Sequence, residues 1–327
     1  MATSTGGDIP FTAAEIKERV AKAAKYTELG QVEQAIVEKI PLAGGIVEFK
    51  VRVPMVARSA KAGQFVRVLG WHDGELVPLT PADWDAEAGT IDLVIQGMGT
   101  STLLMNRMTV GDKFAGIAGP LGRPSELHKY APDETVVFTA GGVGLPPVYP
   151  IAREHLRLGN HVTLIAGFRS KDFLFWIGED ERVGKLIAEF GPQLDVIYTS
   201  NDGTFGEKGF VTGPLERMLK DNKTSKGRKL AEVVTIGPPL MMRAVSDLTK
   251  PYGVKTVASL NSIMVDATGM CGACMVPITV DGKMVRKHAC IDGPEIDAHL
   301  IDWDKFLPRF TTFRAQEQRS KVAHGLA

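Results

Sequence analysis

The sequence predicts a β + α/β fold in three parts: a small antiparallel β-barrel, a doubly wound parallel-sheet domain and a short cysteine-bearing C-terminal domain. Three observations carry that expectation. Apolar and polar residues alternate at period two from Val32 to about Leu127, the rhythm changes to strand–helix–strand after Pro132, and all three cysteines fall beyond Leu260. A chain of 327 residues that is 44% hydrophobic has material for more than one core. The expected divisions are 1–31, an N-terminal helical extension; 32–130, the barrel; 131–258, the parallel-sheet domain; and 259–327, the cysteine-bearing tail.

In the extension, Thr12-Ala13-Ala14-Glu15 has the form of a capping box, and Ile16, Val20 and Ala23 or Ala24 follow at helical spacing. The barrel is read from runs such as I-V-E-F-K-V-R-V, where Val47, Phe49, Val51 and Val53 alternate with Glu48, Lys50 and Arg52. G-Q-F-V-R-V-L and I-D-L-V-I-Q-G continue it, with Gly, Pro and Asp between the runs. In the next domain E-T-V-V-F-T-A, V-T-L-I-A-G-F, D-V-I-Y-T, V-V-T-I and V-K-T-V-A-S read as strands. P-V-Y-P-I-A-R-E-H-L-R-L, E-R-V-G-K-L-I-A-E-F, a segment near Pro214–Leu219 and P-L-M-M-R-A-V-S-D-L read as helices between them. Such alternation gives a parallel sheet with ligands at the carboxyl ends of its strands.

Lys plus Arg and Asp plus Glu balance at 38 each, and no long basic run is present, which argues against nucleic acid as a partner. The N-terminus lacks a basic stretch followed by an apolar one, and no window reaches the roughly 18 apolar residues of a membrane span. Three clustered cysteines without an export signal favour a reduced, cytoplasmic setting over a disulfide framework.

Two loops suit a phosphorylated ligand. Thr139–Pro147, T-A-G-G-V-G-L-P-P, places glycines between a strand and a helix, where backbone can approach a ligand closely; a tight turn without a ligand is the alternative. Gly97-Met98-Gly99-Thr100-Ser101-Thr102 offers amides and three hydroxyls suited to a diphosphate, or forms an ordinary hydroxyl-rich turn. Pro78-Leu79-Thr80 and Gly119-Pro120-Leu121-Gly122 are turns on composition alone. The cysteines say more. From Asp266 the spacing is D-x4-C-x2-C, through Cys271 and Cys274, with Cys290 distant; plant-type [2Fe–2S] ferredoxins use C-x4-C-x2-C and a distant cysteine. Aspartate stands in the first-cysteine slot, and carboxylate is a harder donor that can still hold iron. A zinc site of three cysteines with His288 or Asp266, and simple buried thiols, are the other readings.

Barrel, wound domain and cysteine tail in this order resemble the ferredoxin–NADP reductase superfamily. More narrowly the chain resembles the flavin- and [2Fe–2S]-bearing small subunits of NADH-dependent reduced ferredoxin:NADP oxidoreductases, with the electron-transfer subunits of sulfide and dihydroorotate dehydrogenases as relatives. The resemblance spans roughly residues 33–305 and is most specific in S-L-N-S-I-M-V-D-A-T-G-M-C-G-A-C and A-C-I-D-G-P-E-I-D-A-H. A-G-Q-F, P-L-T-P-A-D-W-D, G-P-L-G, A-G-G-V-G, N-D-G-T-F-G-E-K-G-F-V-T and I-G-P-P-L-M-M follow in family order.

The resemblance implies FAD against Pro78, Leu79 and Thr80, against Val94, Ile95 and Gln96, and against Gly99, Ser101 and Thr102. It implies NAD(H) against Gly141, Gly142, Val143 and Gly144, with Arg169 and Asp202 nearby, and a [2Fe–2S] cluster on Asp266, Cys271, Cys274 and Cys290. It further implies an electron-transfer subunit, joined to a larger flavin and iron–sulfur subunit that binds NADP(H) or another acceptor and reaches ferredoxin through the complex. A sulfide or other substrate dehydrogenase is the alternative, the D-x4-C spacing disfavouring the dihydroorotate branch; a zinc-stapled scaffold without redox activity is a different class. The chain departs from the family pattern at Leu76, where an arginine facing flavin phosphate is expected, at Asn201 and at Pro146.

Overall fold

The structure, a computed structural model, describes residues 33–326; the expected N-terminal helix lies outside them. The alternating stretch forms strands β1 (Ile36–Ala43), β2 (Ile46–Arg52), β3 (Phe65–Leu69), β4 (Leu76–Leu79), β5 (Pro81–Asp85), β6 (Thr90–Gln96) and β7 (Gly116–Leu121). Two short helices interrupt them, α1 (Pro54–Ser59) and α2 (Thr100–Met105). The strands pair antiparallel in the orders β1-β2-β6-β5 and β4-β3-β7. Phe49, Val51, Val66, Val68, Ile91 and Leu93, from both sheets, are fully buried in one core, with Phe114 edge-on to Phe49 at 6.2 Å. Period-two patterning therefore yields two antiparallel sheets packed face to face around one core, the barrel expected from the sequence.

The two proline-containing turns need correction. Pro78 and Leu79 belong to β4, and Gly119, Pro120 and Leu121 belong to β7. Both are edge strands of the three-stranded sheet. A proline is tolerated at an edge because its missing N–H can face away from the ladder.

The second rhythm forms β8 (Glu134–Gly141), α3 (Leu145–Arg157), β9 (His161–Phe168), α4 (Arg182–Phe190), β10 (Leu194–Ser200), β11 (Glu207–Lys208), α5 (Thr212–Asp221), β12 (Lys229–Ile236), α6 (Pro239–Thr249) and β13 (Lys255–Ser259). The strands are parallel in the order β11-β10-β9-β8-β12-β13. Val136, Val137 and Phe138 of β8 are fully buried on successive positions, as a strand covered on both faces requires. Strand order reverses between β8 and β12, so a crevice opens beyond their carboxyl ends.

The tail adds a hairpin, β14 (Met275–Val280) with β15 (Lys283–His288), then α7 (Ala289–Asp292) and β16 (Glu295–Asp297). β16 pairs antiparallel with β13, so the tail extends the parallel sheet. Helices α8 (Trp303–Phe306) and α9 (Arg314–Ala323) end the described chain. Cys274, Val276, Cys290, Trp303 and Phe306 share one buried cluster. Among the described residues no helix is long and apolar enough to cross a membrane.

Candidate functional site

A cavity of about 1000 Å³ lies where the barrel, the parallel sheet and the tail meet. From the barrel its wall takes Pro78, Leu79 and Thr80 at the end of β4, Val94, Ile95 and Gln96 at the end of β6, and Gly99, Ser101 and Thr102 at the start of α2. From the sheet it takes Gly141, Gly142, Val143 and Gly144 after β8, and Arg169 after β9. The crevice between β8 and β12 thus opens onto the barrel, and two stretches of sequence far apart become facing walls.

Backbone geometry suits a bound nucleotide at the sheet wall. Gly142 has φ +52°, and a Cβ added there would meet nothing within 4 Å, so its face is open to the cavity. Gly144 is the opposite case: a Cβ would lie 2.1 Å from the Ile236 carbonyl oxygen of β12. One glycine leaves room for a ligand and the other lets the loop pass against the neighbouring strand. The buried Thr199 hydroxyl also lines the cavity and has no hydrogen-bond partner among the described residues. A ligand polar group would satisfy it. Arg169 holds its guanidinium 5.8 Å from the Phe173 ring centroid, at the cavity wall.

Asp202 is placed differently. It is not part of the wall, whereas Asn201 and Thr199 are. Its carboxylate accepts the Thr204 N–H at 3.0 Å and the Thr204 hydroxyl at 2.8 Å, which hold the carboxyl below its ordinary range. It closes its own turn.

At the barrel wall the Thr102 hydroxyl accepts the Met98 and Gly99 N–H groups at 3.0 and 3.1 Å, so it fixes the loop. Ser101 donates to Glu75 at 3.1 Å. The Thr100 N–H donates to Glu317 of α9 at 2.6 Å. Leu76 pairs with Leu69 in the ladder and does not line the cavity; Glu75 does. Thr100, Glu75 and Glu317 are site residues that sequence reasoning did not single out. Thr100 had a signal, since it sits inside the quoted hydroxyl run. Glu317 had none, because α9 reaches the barrel from the far end of the chain.

The cysteine loop packs beside this cavity. Leu260, Asn261, Met264 and Pro294, which flank the cysteine motifs in sequence, are part of the wall. Arg67 of β3 donates to the Asp266 carbonyl oxygen at 2.5 Å, and Arg309 donates to the Ala273 carbonyl at 2.7 Å. Cys274 and Cys290 are buried with sulfurs 3.1 Å apart. Cys271 is exposed. Its N–H donates to Asp266 Oδ2 at 2.8 Å, while Oδ1 accepts the Thr268 N–H at 2.9 Å. Those bonds, Thr268 first, hold the Asp266 carboxyl below its ordinary range. His288 ends β15 with its backbone N–H on Asp292 at 2.8 Å.

The donors therefore fall into an Asp266–Cys271 pair and a Cys274–Cys290 pair. Among the described residues no three His, Cys, Asp or Glu side chains converge as the ligands of one metal ion do. Two pairs suit a two-iron cluster, in which each iron takes two protein donors. Burial, with the Cys274 thiol beside it, raises the Cys290 thiol above its ordinary value.

A family model for the iron–sulfur cluster binding domain of dihydroorotate dehydrogenase B matches residues 261–302. The chain is 36% identical over 291 residues to a Thermotoga maritima homologue of the dihydroorotate dehydrogenase B (NAD(+)) electron transfer subunit, covering 89% of this chain and 95% of the relative. It is 39% identical over 291 residues to an uncharacterised Clostridium beijerinckii protein encoded in the adh 3′ region, covering 88% and 93%. A solved chain from an NADH-dependent reduced ferredoxin–NADP oxidoreductase, studied for flavin-based electron bifurcation, superposes with a TM-score of 0.78 at 34% identity, covering 90% of this chain and 98% of that one. With these relatives aligned along nearly their whole length, the chain belongs to the family of electron-transfer subunits that join a flavin- and NAD(H)-binding body of the ferredoxin–NADP reductase fold to an iron–sulfur domain.

Proposed function

We propose that this chain passes electrons between NAD(H), FAD and a [2Fe–2S] cluster as one subunit of a larger complex. The observation that carries the reading is the shared wall. Gly141–Gly144 of the sheet, Pro78–Thr80 and Val94–Gln96 of the barrel, and Leu260, Met264 and Pro294 beside the cysteine motifs all face one cavity. When bound, flavin supplies the conversion between two-electron and one-electron chemistry. The chain's own part is to hold and insulate. Gly142 admits a dinucleotide to the sheet wall, the barrel strands offer an apolar bed for a flat ring system, and Arg67 ties the Asp266 loop to β3. Asp266, Cys271, Cys274 and Cys290 would hold the cluster. No nucleophile or acid–base pair is required for this chemistry.

The three cysteines supply no thiols for a second cluster, so onward transfer goes to a partner subunit. The 34%-identical structural relative supports assembly with a larger NADP(H)-binding, ferredoxin-linked subunit, and with it a part in electron bifurcation. Anaerobically purified protein is expected to be coloured and to carry about one FAD and about two irons per chain, with acid-labile sulfide. Stoichiometric zinc with neither flavin nor sulfide would overturn the proposal.

A further inference from the structure

The last helix carries a carboxylate into the flavin end of the cavity. Glu317 of α9 accepts the Thr100 N–H at 2.6 Å, and its carboxylate stands 2.9 Å from where a Cβ on Gly99 would sit. One turn later the Ser320 hydroxyl meets the Thr100 hydroxyl at 2.9 Å. Glu317 is itself part of the cavity wall. Gly99, Ser101 and Thr102 are the residues to which the flavin reading gives the diphosphate, and the Thr100 amide lies among them.

Those donors cannot serve both groups. An amide carries one hydrogen, and a carboxylate lodged among donors meant for a diphosphate repels it at short range. Glu75, on the same wall, adds a second negative charge through its bond to Ser101, and the residue after it is Leu76 rather than a cation. The helix is also weakly anchored. None of its residues is buried: Glu317, Ser320 and Lys321 are half-buried and the rest are exposed. Polar contacts to α2, rather than apolar burial, seat it, and such contacts exchange readily with water.

We infer that helix Arg314–Ala323 is a displaceable strap across the diphosphate end of the flavin cavity, with the Glu317 carboxylate occupying the phosphate position, so that flavin entry lifts the helix off. This rests on the flavin reading above. It makes the C-terminal segment a reporter of flavin occupancy and a brake on flavin loading.

The test uses full-length protein stripped of flavin and titrated with FAD and, separately, with riboflavin, which has no phosphate. Glu317→Gln and Glu317→Ala are expected to bind FAD on the order of tenfold more tightly than the unaltered chain, with riboflavin affinity unchanged. Hydrogen exchange across 314–323 is expected to speed up when FAD binds the unaltered chain. FAD binding that is equal or weaker in both variants, or exchange that slows on FAD binding, overturns the strap while leaving the flavin site standing. If neither flavin binds the unaltered chain or the variants, the flavin reading itself falls, and the strap with it.

Discussion

Asp266 shows how far one residue can be argued from spacing. Its place five residues before Cys271 matches the first slot of a ferredoxin-type motif, and its carboxylate lies against the Cys271 N–H. His288, the rival donor, ends β15 with its ring nitrogen near Gly272, 4.0 Å from where that glycine's Cβ would be. Asp266→Ala is expected to leave iron and sulfide substoichiometric, because one iron loses a donor. Asp266→Cys should retain the cluster and lower its reduction potential, since thiolate donates more electron density to oxidised iron than carboxylate does. His288→Ala should leave the EPR spectrum unaltered. A native signal in Asp266→Ala together with its loss in His288→Ala would transfer the ligand role to histidine. Asp202, in a family-like N-D-G-T stretch, accepts the Thr204 N–H and hydroxyl, as an aspartate followed two residues later by threonine does when it closes a local turn.

Among elements, the loop between β8 and α3 offers a paired comparison. Gly144→Ala forces a methyl group to within 2.1 Å of the Ile236 carbonyl oxygen, backbone that has little freedom to give, and should destabilise the chain by about 3 kcal/mol. Gly142→Ala meets only the strain of φ +52°, about 1 kcal/mol, and should fold while slowing flavin reduction by NADH through bulk in the cavity. Thermal unfolding and stopped-flow reduction separate the two effects; equal melting temperatures for the variants would discredit this geometry. The parallel strands and their helices were legible because apolar runs and helical spacing are local signals. The β14–β15 hairpin was legible too, through Asp281-Gly282 between V-P-I-T-V and K-M-V, a turn pair suited to two-residue hairpins. It is not among the elements expected above. β11 and β16, with two and three residues, were not legible, because strands so short exist only by pairing with a sheet already formed.

At the scale of the whole molecule, sequence order indicated a barrel and a wound sheet but not how they are locked together. That information lies in residues 70 to 134 positions apart. Arg182, at the start of α4, pairs with Glu48 of β2, with Asp83 of β5 at 2.9 Å and with Asp92 of β6 at 2.5 Å. Arg153 of α3 meets Asp83 at 2.8 Å, and the Trp176 indole N–H donates to Glu48 at 2.8 Å. The Arg182 guanidinium also lies 4.9 Å from the Trp176 ring centroid. The side chains of Glu48 and Asp92 are only 8% and 9% exposed, so removing their cation strands two carboxylates in a poorly solvated interface. Arg182→Ala should therefore cost about 3–5 kcal/mol in denaturant unfolding. Arg182→Lys should recover only part, because an ammonium cannot reproduce a planar fork that serves three carboxylates. The pairs also fix the angle between the two walls of the cavity, whereas the cluster loop is tied to the barrel separately through Arg67. Under conditions where Arg182→Ala stays folded, NADH should reduce the flavin more slowly while iron content and cluster spectrum hold. An unchanged unfolding midpoint would remove the latch from the account of stability, and loss of cluster and hydride transfer together would mean that the interface holds the whole chain rather than the two cavity walls.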